Sequence, residues 1–321
     1  MSAEKKRGIL IDAQRLPLRP ETVFIVFDLE WNQCPYGRDR SRPGLPFEII
    51  DIGAVKLAQD LTILDTFHCF VRPQVYKSLH YRTREVIGID RFELDGGLWF
   101  EDAAREFFSW CGNDFLFCTW GDTDLPELQR NLTFYDMLSF LPGPLLFADV
   151  QKMFAIAFEE RRKRRSLEYA VDFLQLSKTR EYHRAFDDAY YTAQVMQHIP
   201  QEIILKDFSV DTWQHPSSAS EELRLRCSDY EKYISREFPS KEKALQDEEV
   251  RSLHCPLCGK NAKRVLKWTG KNGRYISLGT CAVHGNVYGR IRVKRTAGSE
   301  VYIEKVTRPV SEEEAAELLE S

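Results

Sequence analysis

Three apolar runs near the start of the chain have the pattern of β-strands. They cover residues 23–30, 48–57 and 62–72, and mostly short polar breaks separate them. Such closely spaced runs predict three strands joined as an antiparallel meander. The break at 32–46 is longer and is rich in Pro, Gly and Arg, so it predicts a loop that leaves directly after the first strand.

Helices and strands alternate along the next stretch. The predicted elements are, in order, a helix at 101–110, strands at 114–119 and 145–149, a helix to about residue 165, a helix that Ser166 caps, and a helix at 186–198. A meander followed by alternating helices and strands predicts an α/β fold, with a mixed sheet flanked by helices.

The rest of the chain changes character after residue 205. Residues 206–250 carry mixed charge and few aliphatic side chains, and 217–238 has the pattern of a polar helix. We therefore predict the following organisation: an N-terminal extension at 1–19, an α/β domain at 20–205, a polar helical linker at 206–250, a compact domain at 251–310 and an acidic tail at 311–321.

Composition excludes some classes of protein. The 321 residues are 43% hydrophobic and 29% charged, which is ordinary for a globular protein. No apolar run approaches the roughly 20 residues of a membrane span, and the N-terminus has no secretory signal. We expect a cytoplasmic protein with no membrane partner. The net charge of −4 is unevenly placed, since residues 251–295 hold eleven Lys and Arg and no acid.

A metal-binding pattern lies in this basic region. It consists of Cys255-x2-Cys258, a 22-residue spacer and Cys281-x2-His284, with Gly259 and Gly285 directly after each pair to permit a tight turn. This spacing predicts a zinc ribbon holding one structural Zn²⁺, with His254 as second choice for the fourth ligand. The other five cysteines, Cys34, Cys69, Cys111, Cys118 and Cys227, are irregularly spaced and predict reduced, mostly buried thiols.

Cations alternate with aromatic residues in the same region. Examples are Lys267, Trp268, Arg290 and Arg292. Cations that neutralise phosphates beside rings that stack on bases suit a surface for single-stranded nucleic acid. The alternative is that some of these rings fill the small core of the ribbon.

Five residues form the strongest candidate for chemistry: Asp28, Glu30, Asp124, His183 and Asp188. Asp28 and Glu30 are two apart at the end of an apolar strand, so their side chains share one face. His183 and Asp188 lie about 140° apart around a continuous helix, so they serve one site only if His183 lies in the preceding loop.

Asp124 has local competitors in Asp122 and Glu127, and its simplest role is to cap a helix that begins near Leu125. Four carboxylates and a histidine are nevertheless the groups that a two-metal phosphodiesterase requires.

These segments resemble the DEDD exonucleases, in the branch whose third motif carries histidine. Motif one is Asp28-x-Glu30, motif two supplies Asp124, and motif three is His183-x4-Asp188. EIIDIGAVKL, SLEYAVDFLQL and HRAFDDAYYTAQV are similar to the family's second strand and late helices, so the resemblance covers about residues 20–205. The W-G-x-x-D form of motif two is more similar to the branch that trims the 3′ ends of structured RNA.

The resemblance implies a ribonuclease H-like fold and 3′→5′ hydrolysis that releases nucleoside 5′-monophosphates. Two Mg²⁺ or Mn²⁺ would be held by the four carboxylates. Asp28 would bridge both ions, Glu30 and Asp188 would hold the ion that carries the nucleophile, and Asp124 would act on the second. His183 would be the general base.

The resemblance also suggests substrate contacts in and after motif one. Leu29, Trp31 and Asn32 are candidates for contacting the terminal nucleotide, although Leu29 would point to the opposite face of the strand and Trp31 is equally plausible as core. The expected partner is the 3′ end of single-stranded RNA or DNA. A proofreading DNA exonuclease and a non-catalytic binding protein on a nuclease fold are the alternatives. The sequence does not choose between RNA and DNA, nor does it give the oligomeric state.

Overall fold

The computed structural model describes residues 8–12, 18–88, 91–159, 163–180, 182–271, 273–296 and 298–320. These residues form two compact units. The larger unit comprises residues 18–204 and 208–213, and the smaller unit comprises 8–12, 205–207 and 214–320. Among the described residues, no helix has the length and apolar character needed to cross a membrane.

The strands are numbered in chain order. They are β1 Ile9–Asp12, β2 Val23–Gln33, β3 Phe47–Leu57, β4 Ile63–Phe70, β5 Phe115–Thr119, β6 Leu145–Asp149, β7 Ser209–Asp211, β8 Leu223–Arg226, β9 Glu231–Ile234, β10 Lys263–Lys271, β11 Arg274–Cys281, β12 Gly285–Arg295 and β13 Val301–Pro309.

The helices are numbered in the same way. They are α1 Tyr81–Ile87, α2 Arg91–Asp95, α3 Phe100–Cys111, α4 Asp124–Phe134, α5 Val150–Phe158, α6 Leu167–Phe173, α7 Ala185–His198, α8 Gln201–Ile204, α9 Lys241–Gln246, α10 Glu248–Arg251 and α11 Glu312–Glu320.

The larger unit is built on a mixed six-stranded sheet in the order β4-β3-β2-β5-β6-β7. β2, β3 and β4 are antiparallel neighbours, which confirms the predicted meander, and β5 and β6 run parallel to β2. β2 alternates its side chains between two layers. Phe27 and Leu29 pack in a core with residues of α3 and α4, whereas α7 packs against β2 and β3.

Local signals set the late helices of this unit. Ser166 caps α6 as predicted, with its side chain accepting a hydrogen bond from the Tyr169 N–H. The helix after β6 ends at Phe158, several residues earlier than predicted. α7 begins at Ala185 and ends at His198, one residue earlier than predicted at its start, and small buried residues on it allow a close approach to the sheet.

The smaller unit contains a seven-stranded sheet in the order β1-β8-β9-β13-β12-β11-β10. Around the zinc pattern, β10, β11 and β12 pair antiparallel in sequence order. Ile291 and Ile303 of β12 and β13 pack with Tyr233 of β9 in the core of this unit. The acidic end of the chain forms α11.

The polar helix predicted over 217–238 is wrong, because the segment forms β8 and β9. Leu223 and Leu225 point inward, and the intervening Arg224 forms an ion pair with Glu231 at 2.6 Å. Residues 206–250 are also not a separate linker: β7 completes the sheet of the larger unit, while β8 and β9 extend the sheet of the smaller one. Ile9–Asp12, inside the predicted N-terminal extension, pairs with β8.

Candidate active site and metal centre

Two of the predicted carboxylates lie side by side on β2. Asp28 and Glu30 face the same side of the sheet, and the register places them opposite Gly53 and Asp51 of β3. Asp188 of α7 joins them, so that one oxygen from each of the three carboxylates lies within 4.8 Å of the others. Residues 160 positions apart in the chain therefore meet at one point.

Gly53 makes this meeting possible. A Cβ atom at this position would lie 2.0 Å from the backbone nitrogen of Phe186 and 2.2 Å from the carbonyl carbon of Ala185, far inside van der Waals contact. Only a residue without a side chain allows the first turn of α7 to sit on β3 opposite Asp28. Asp188 then lies one turn into the helix, above the strand that carries Asp28 and Glu30.

The fourth carboxylate comes from the start of α4. Asp124 is 4% exposed, and one of its oxygens accepts a hydrogen bond from the Leu29 N–H at 3.3 Å. Asp122 is exposed, and Glu127 is paired with Arg130 at 3.0 Å. The structure therefore places Asp124 beside motif one. Its predicted role as N-cap is wrong, because the helix begins one residue earlier, at Asp124 itself, and Thr123 occupies the cap position.

His183 lies in the loop before α7 and Asp188 lies within the helix, as predicted from their spacing. The His183 N–H donates a hydrogen bond to an Asp188 oxygen at 3.1 Å, while the side chain is exposed. His183 has a φ of 66°, in the left-handed region that a non-glycine residue adopts at some energetic cost. The imidazole forms no hydrogen bond with any described residue and is free to reach solvent.

The four carboxylates carry like charge and repel one another. No described residue forms an ion pair with them that would offset this repulsion. Burial, together with its acidic neighbours, raises the pKa of Asp28 well above its ordinary value and that of Glu30 to about 8. Burial likewise raises the pKa of Asp124 to about 7 and that of Asp188 to about 6. One oxygen of Asp188 is buried without a hydrogen-bond donor among the described residues. This set of oxygen atoms fits divalent cations such as Mg²⁺ or Mn²⁺.

The raised pKa values predict how stability depends on pH without metal. The folded protein holds more protons than the unfolded chain between pH 4.5, the ordinary pKa of a glutamate, and about 8, the pKa of Glu30 in the folded protein. The contribution of this cluster to stability should therefore be complete below that window and be lost as pH rises through it. Thermal melts in EDTA from pH 5 to pH 8.5 should show a decline that is shallower in Glu30→Gln.

Divalent cations should reverse this trend, because they bind the ionised carboxylates. The increase in melting temperature that excess Mn²⁺ produces should grow with pH in the wild type and be reduced in Glu30→Gln. Wild-type and variant melts in EDTA that respond identically to pH would contradict the assignment.

Asp51 and His68 were not singled out from the sequence. The Asp51 carboxylate is fully buried, lies 2.9 Å from the Nε2 atom of His68 on β4, and accepts a hydrogen bond from the Ala185 N–H at 3.3 Å. The pair thus ties two strands to the start of α7. The sequence offered one signal for Asp51, since it is a charged residue inside the apolar run of residues 49–55.

The structure gives the candidate substrate residues after motif one other roles. The side chain of Leu29 lies in the core, so only its main chain reaches the carboxylates. Asn32 is fully buried, where it bonds the carbonyl groups of Tyr76 and Ser78 and the His80 N–H, and it is not available to a nucleotide. Trp31 packs at the edge of the core with its ring 5.9 Å from that of Phe47, which favours its core interpretation.

The four predicted zinc ligands converge in the smaller unit. The Sγ atoms of Cys258 and Cys281 are 3.7 Å apart, and the His284 Nδ1 atom lies 3.5 Å from the Cys255 Sγ and 3.7 Å from the Cys281 Sγ. Ligands bound tetrahedrally at about 2.0–2.3 Å are separated by roughly these distances. The cluster therefore fits a closed tetrahedral metal site.

Two further features support this site. Gly259 and Gly285, which follow the two ligand pairs, have φ values of 69° and 74°, as tight turns require. Hydrogen bonds from the Val283 and His284 N–H groups lower the pKa of Cys281 to about 6, which favours the thiolate. The second-choice ligand His254 is not in the cluster, since its ring contacts Ser252 at 3.2 Å. None of the eight cysteines forms a disulfide, and of the other five only Cys69 is not fully buried.

Loss of one ligand should release the metal and destabilise the smaller unit. We expect Cys258→Ser to lose the Zn²⁺ measured by elemental analysis, one ion per chain in the wild type, and to melt at a lower temperature, because structural zinc contributes directly to folding. Cys69→Ser, at a cysteine outside the cluster, is the matched control and should retain zinc. Equal zinc content in Cys258→Ser and wild type would contradict the site.

The four residues predicted to contact nucleic acid in the smaller unit differ in their surroundings. Trp268 packs against its core, and the indole N–H donates a hydrogen bond to the Arg251 carbonyl at 2.8 Å, so it is a core residue. Lys267 is exposed, and Arg290 and Arg292 are half-buried on β12. Only the three cations therefore present polar groups at the surface.

Sequence comparisons place the larger unit among known nucleases. A family model described as "Exonuclease" matches residues 25–196. The probable 3′-5′ exonuclease KapD of Bacillus subtilis is 26% identical over 182 residues, covering 56% of this chain and 85% of that protein. A PolC-type DNA polymerase III of Thermotoga petrophila is 30% identical over 154 residues, 46% of this chain, and the chain spans only 10% of that polymerase.

A comparison of folds agrees. Cell-death related nuclease 4 (CRN-4) aligns with 65% of this chain and 70% of its own chain, with a TM-score of 0.50 and 16% identity. The nuclease domain of 3′hExo, described as a DEDDh family member bound to rAMP, aligns with 59% of this chain and 96% of its own, with a TM-score of 0.49 and 18% identity. The mixed sheet of the larger unit, with helices on both faces, is the ribonuclease H-like fold predicted from the sequence.

Proposed function

We propose that this chain, a 3′–5′ exonuclease of the family whose model matches residues 25–196, belongs to the DEDDh branch and hydrolyses single-stranded RNA or DNA from the 3′ end. The products are nucleoside 5′-monophosphates. The catalytic residues are Asp28, Glu30, Asp124 and Asp188, with His183 as general base.

One observation carries this proposal. Four carboxylates, of which Asp124 is buried and the others are half-buried, converge from β2, α4 and α7 with no ion pair to any described residue, and a histidine with a free ring lies beside them. Bringing four acids together costs folding free energy that burial increases. Protons or divalent cations can neutralise the cluster, and the ionised carboxylates bind the cations that phosphodiester hydrolysis uses.

Each of the four carboxylates has its own role in the proposed mechanism. Asp28, at the centre of the cluster, would contact both cations, Glu30 and Asp188 would hold one of them, and Asp124 would act on the other. Two Mg²⁺ or Mn²⁺ ions bound there would activate a water molecule and stabilise the leaving oxygen. Because the Leu29 N–H fixes Asp124 against β2, the carboxylates are oriented before substrate arrives.

His183 would take the proton from the attacking water. Its main-chain N–H is tied to Asp188, and its ring is exposed next to the carboxylates. The loop therefore keeps the base close to a catalytic carboxylate while its imidazole stays free to accept the proton and release it to solvent.

The smaller unit would support substrate binding. We propose that its Cys3His site holds one structural Zn²⁺, which closes the turns at both ligand pairs. With four protein ligands it leaves no open position, so it would stabilise the unit and take no part in hydrolysis.

A location in the cytoplasm stays a prediction from the sequence.

A direct test uses matched 5′-labelled single-stranded RNA and DNA. The purified full chain is incubated with Mg²⁺ or Mn²⁺, and the products are separated on a denaturing gel. We expect a ladder that shortens from the 3′ end and complete inhibition by EDTA, and the two substrates together give the sugar preference. Chromatography of the same reaction should show that the released mononucleotides carry a 5′-phosphate. Strands that stay intact while shifting on a native gel would contradict hydrolysis.

A further inference from the structure

β11, β12 and β13 present a basic face on the smaller unit. Arg290 and Arg292 are two residues apart on β12 and so point to the same side, about 6.8 Å apart along the strand. Arg274 of β11 is the direct cross-strand neighbour of Arg292. The intervening residue, Ile291, points to the other side and is fully buried in the core.

This face holds fewer acids than cations. The three strands contain one acidic residue, Glu304, which is the direct cross-strand neighbour of Arg292 and lies 4.0 Å from Lys294. Arg274, Arg290 and Arg292 form no ion pair and no side-chain hydrogen bond with any described residue. The Nε atom of Arg292 is buried without an acceptor among them.

Leaving these arginines unpaired is costly. Like charges at directly opposite positions of two strands destabilise a sheet. Arg274 and Arg292 occupy such a pair of positions. Burial, and then repulsion from Arg292, lowers the pKa of Arg290. A solvated surface would spread its charges and intersperse acids. The cluster has instead the character of a site that is completed by an anion.

The same face already binds an anionic group of the chain itself. Arg308 of β13 forms an ion pair with Glu314 of α11, and its guanidinium lies 5.0 Å from the ring of Tyr288. An arginine on this face can therefore be satisfied by an oxyanion, which the guanidinium group binds with two parallel hydrogen bonds. No acid among the described residues comes within ion-pair distance of the other three arginines, although Glu304 lies opposite Arg292 on β13.

We propose that Arg274, Arg290 and Arg292 form a binding site for backbone phosphates of single-stranded nucleic acid, separate from the carboxylates that carry out hydrolysis. Three cations on adjacent strands match a ligand that carries several phosphates in a row, and arginine suits phosphate better than lysine does. The inference rests on the proposed function for the class of ligand. It assigns the binding to this arginine cluster and not to Trp268, which lies in the core.

The test measures binding without catalysis. A fluorescent single strand of about 20 nucleotides is titrated with the full chain in EDTA, at several salt concentrations, by anisotropy. The test variant is Arg290→Gln/Arg292→Gln, and the control is Lys206→Gln/Lys241→Gln, which removes the same charge at exposed positions of the smaller unit. We expect the test variant to bind about 10- to 100-fold more weakly and its salt slope to fall by roughly 1.4, or 0.7 per phosphate contact.

Melting temperature separates this result from misfolding. Removing two mutually repelling cations should leave the melting temperature unchanged or raise it. Unchanged affinity and salt slope in the test variant would overturn the proposal, as would an equal loss in the control, which would show a general charge effect. Loss of binding to phosphatidylserine vesicles, with no loss of binding to the strand, would also overturn it in favour of a membrane ligand.

A second measurement keeps this proposal distinct from the proposed function. Hydrolysis of a dinucleotide with Mn²⁺ depends on the carboxylate site, and a substrate this short gains little from a separate binding site. The wild type and the Lys206→Gln/Lys241→Gln control should cleave it at the same rate. A wild type that binds the long strand through the arginines but does not cleave the dinucleotide would remove the proposed function and leave the phosphate site standing.

Discussion

Asp188→Asn is expected to abolish exonuclease turnover while leaving the affinity for single-stranded nucleic acid near the wild-type value. The substitution keeps the shape of the side chain and an oxygen that can accept the hydrogen bond of the His183 N–H. It removes the negative charge of one of the four carboxylates of the cluster. We expect the rate to fall by more than about 10³-fold, above the 10- to 100-fold that loss of an outer partner of a metal ligand costs.

Asp187→Asn is the matched control. Asp187 precedes Asp188 on α7, but its carboxylate pairs with Arg180 at 2.9 Å and is not part of the cluster. This variant should retain activity within a few-fold of wild type. In EDTA, Asp188→Asn should melt at the same temperature as wild type or higher, since one repelling charge is gone, and it should gain less from Mn²⁺. Turnover within tenfold of wild type would rule out Asp188 as a ligand of the catalytic metal.

His183→Asn should lower kcat by about 10²- to 10⁴-fold, the usual contribution of a general base, with little change in KM. Asparagine is chosen because it tolerates the left-handed backbone conformation of this residue, whereas alanine would add strain. The N–H that contacts Asp188 is unchanged, so the carboxylates should stay in place. Single-turnover cleavage of a labelled strand in saturating Mn²⁺ measures the chemical step.

The control for this variant is His198→Asn. His198 is exposed at the end of α7, and its ring contacts the Gln194 carbonyl at 2.9 Å, far along the helix from the carboxylates. Its replacement should leave kcat unchanged. A His183→Asn variant with kcat reduced by less than about fivefold would contradict this role. Water or another residue would then be the group that accepts the proton.

The parts of the active site that the sequence predicted are those encoded locally. Asp28 and Glu30 share a face because strands alternate with a period of two, and their apolar flanks mark the strand. His183 and Asp188 could be assigned to a loop and a helix because a continuous helix would separate them around its axis. Each inference needed only a few neighbouring residues.

What the sequence did not predict depends on pairing between distant segments. Asp51 belongs to the site because the register of β2 and β3 sets it opposite Glu30, and His68 because β4 adds a third strand. β8 and β9 are four residues each. β9 pairs with β13, about 70 residues later, and β8 pairs with β9 and with β1 near the start of the chain. Their mixed charge resembled a polar helix because nothing within the segment shows its partners.

The order in which the ligands occur along the chain has a consequence for synthesis of the enzyme. Asp28 and Glu30 leave the ribosome first, and Asp188 follows 160 residues after Asp28. At about 5–20 residues per second, roughly 10–30 s pass before α7 can pack on Gly53 and supply the last carboxylate. During that interval the nascent chain lies next to its own messenger RNA with an incomplete set of the proposed ligands, so an enzyme that digests nucleic acid becomes active only after α7 has been made.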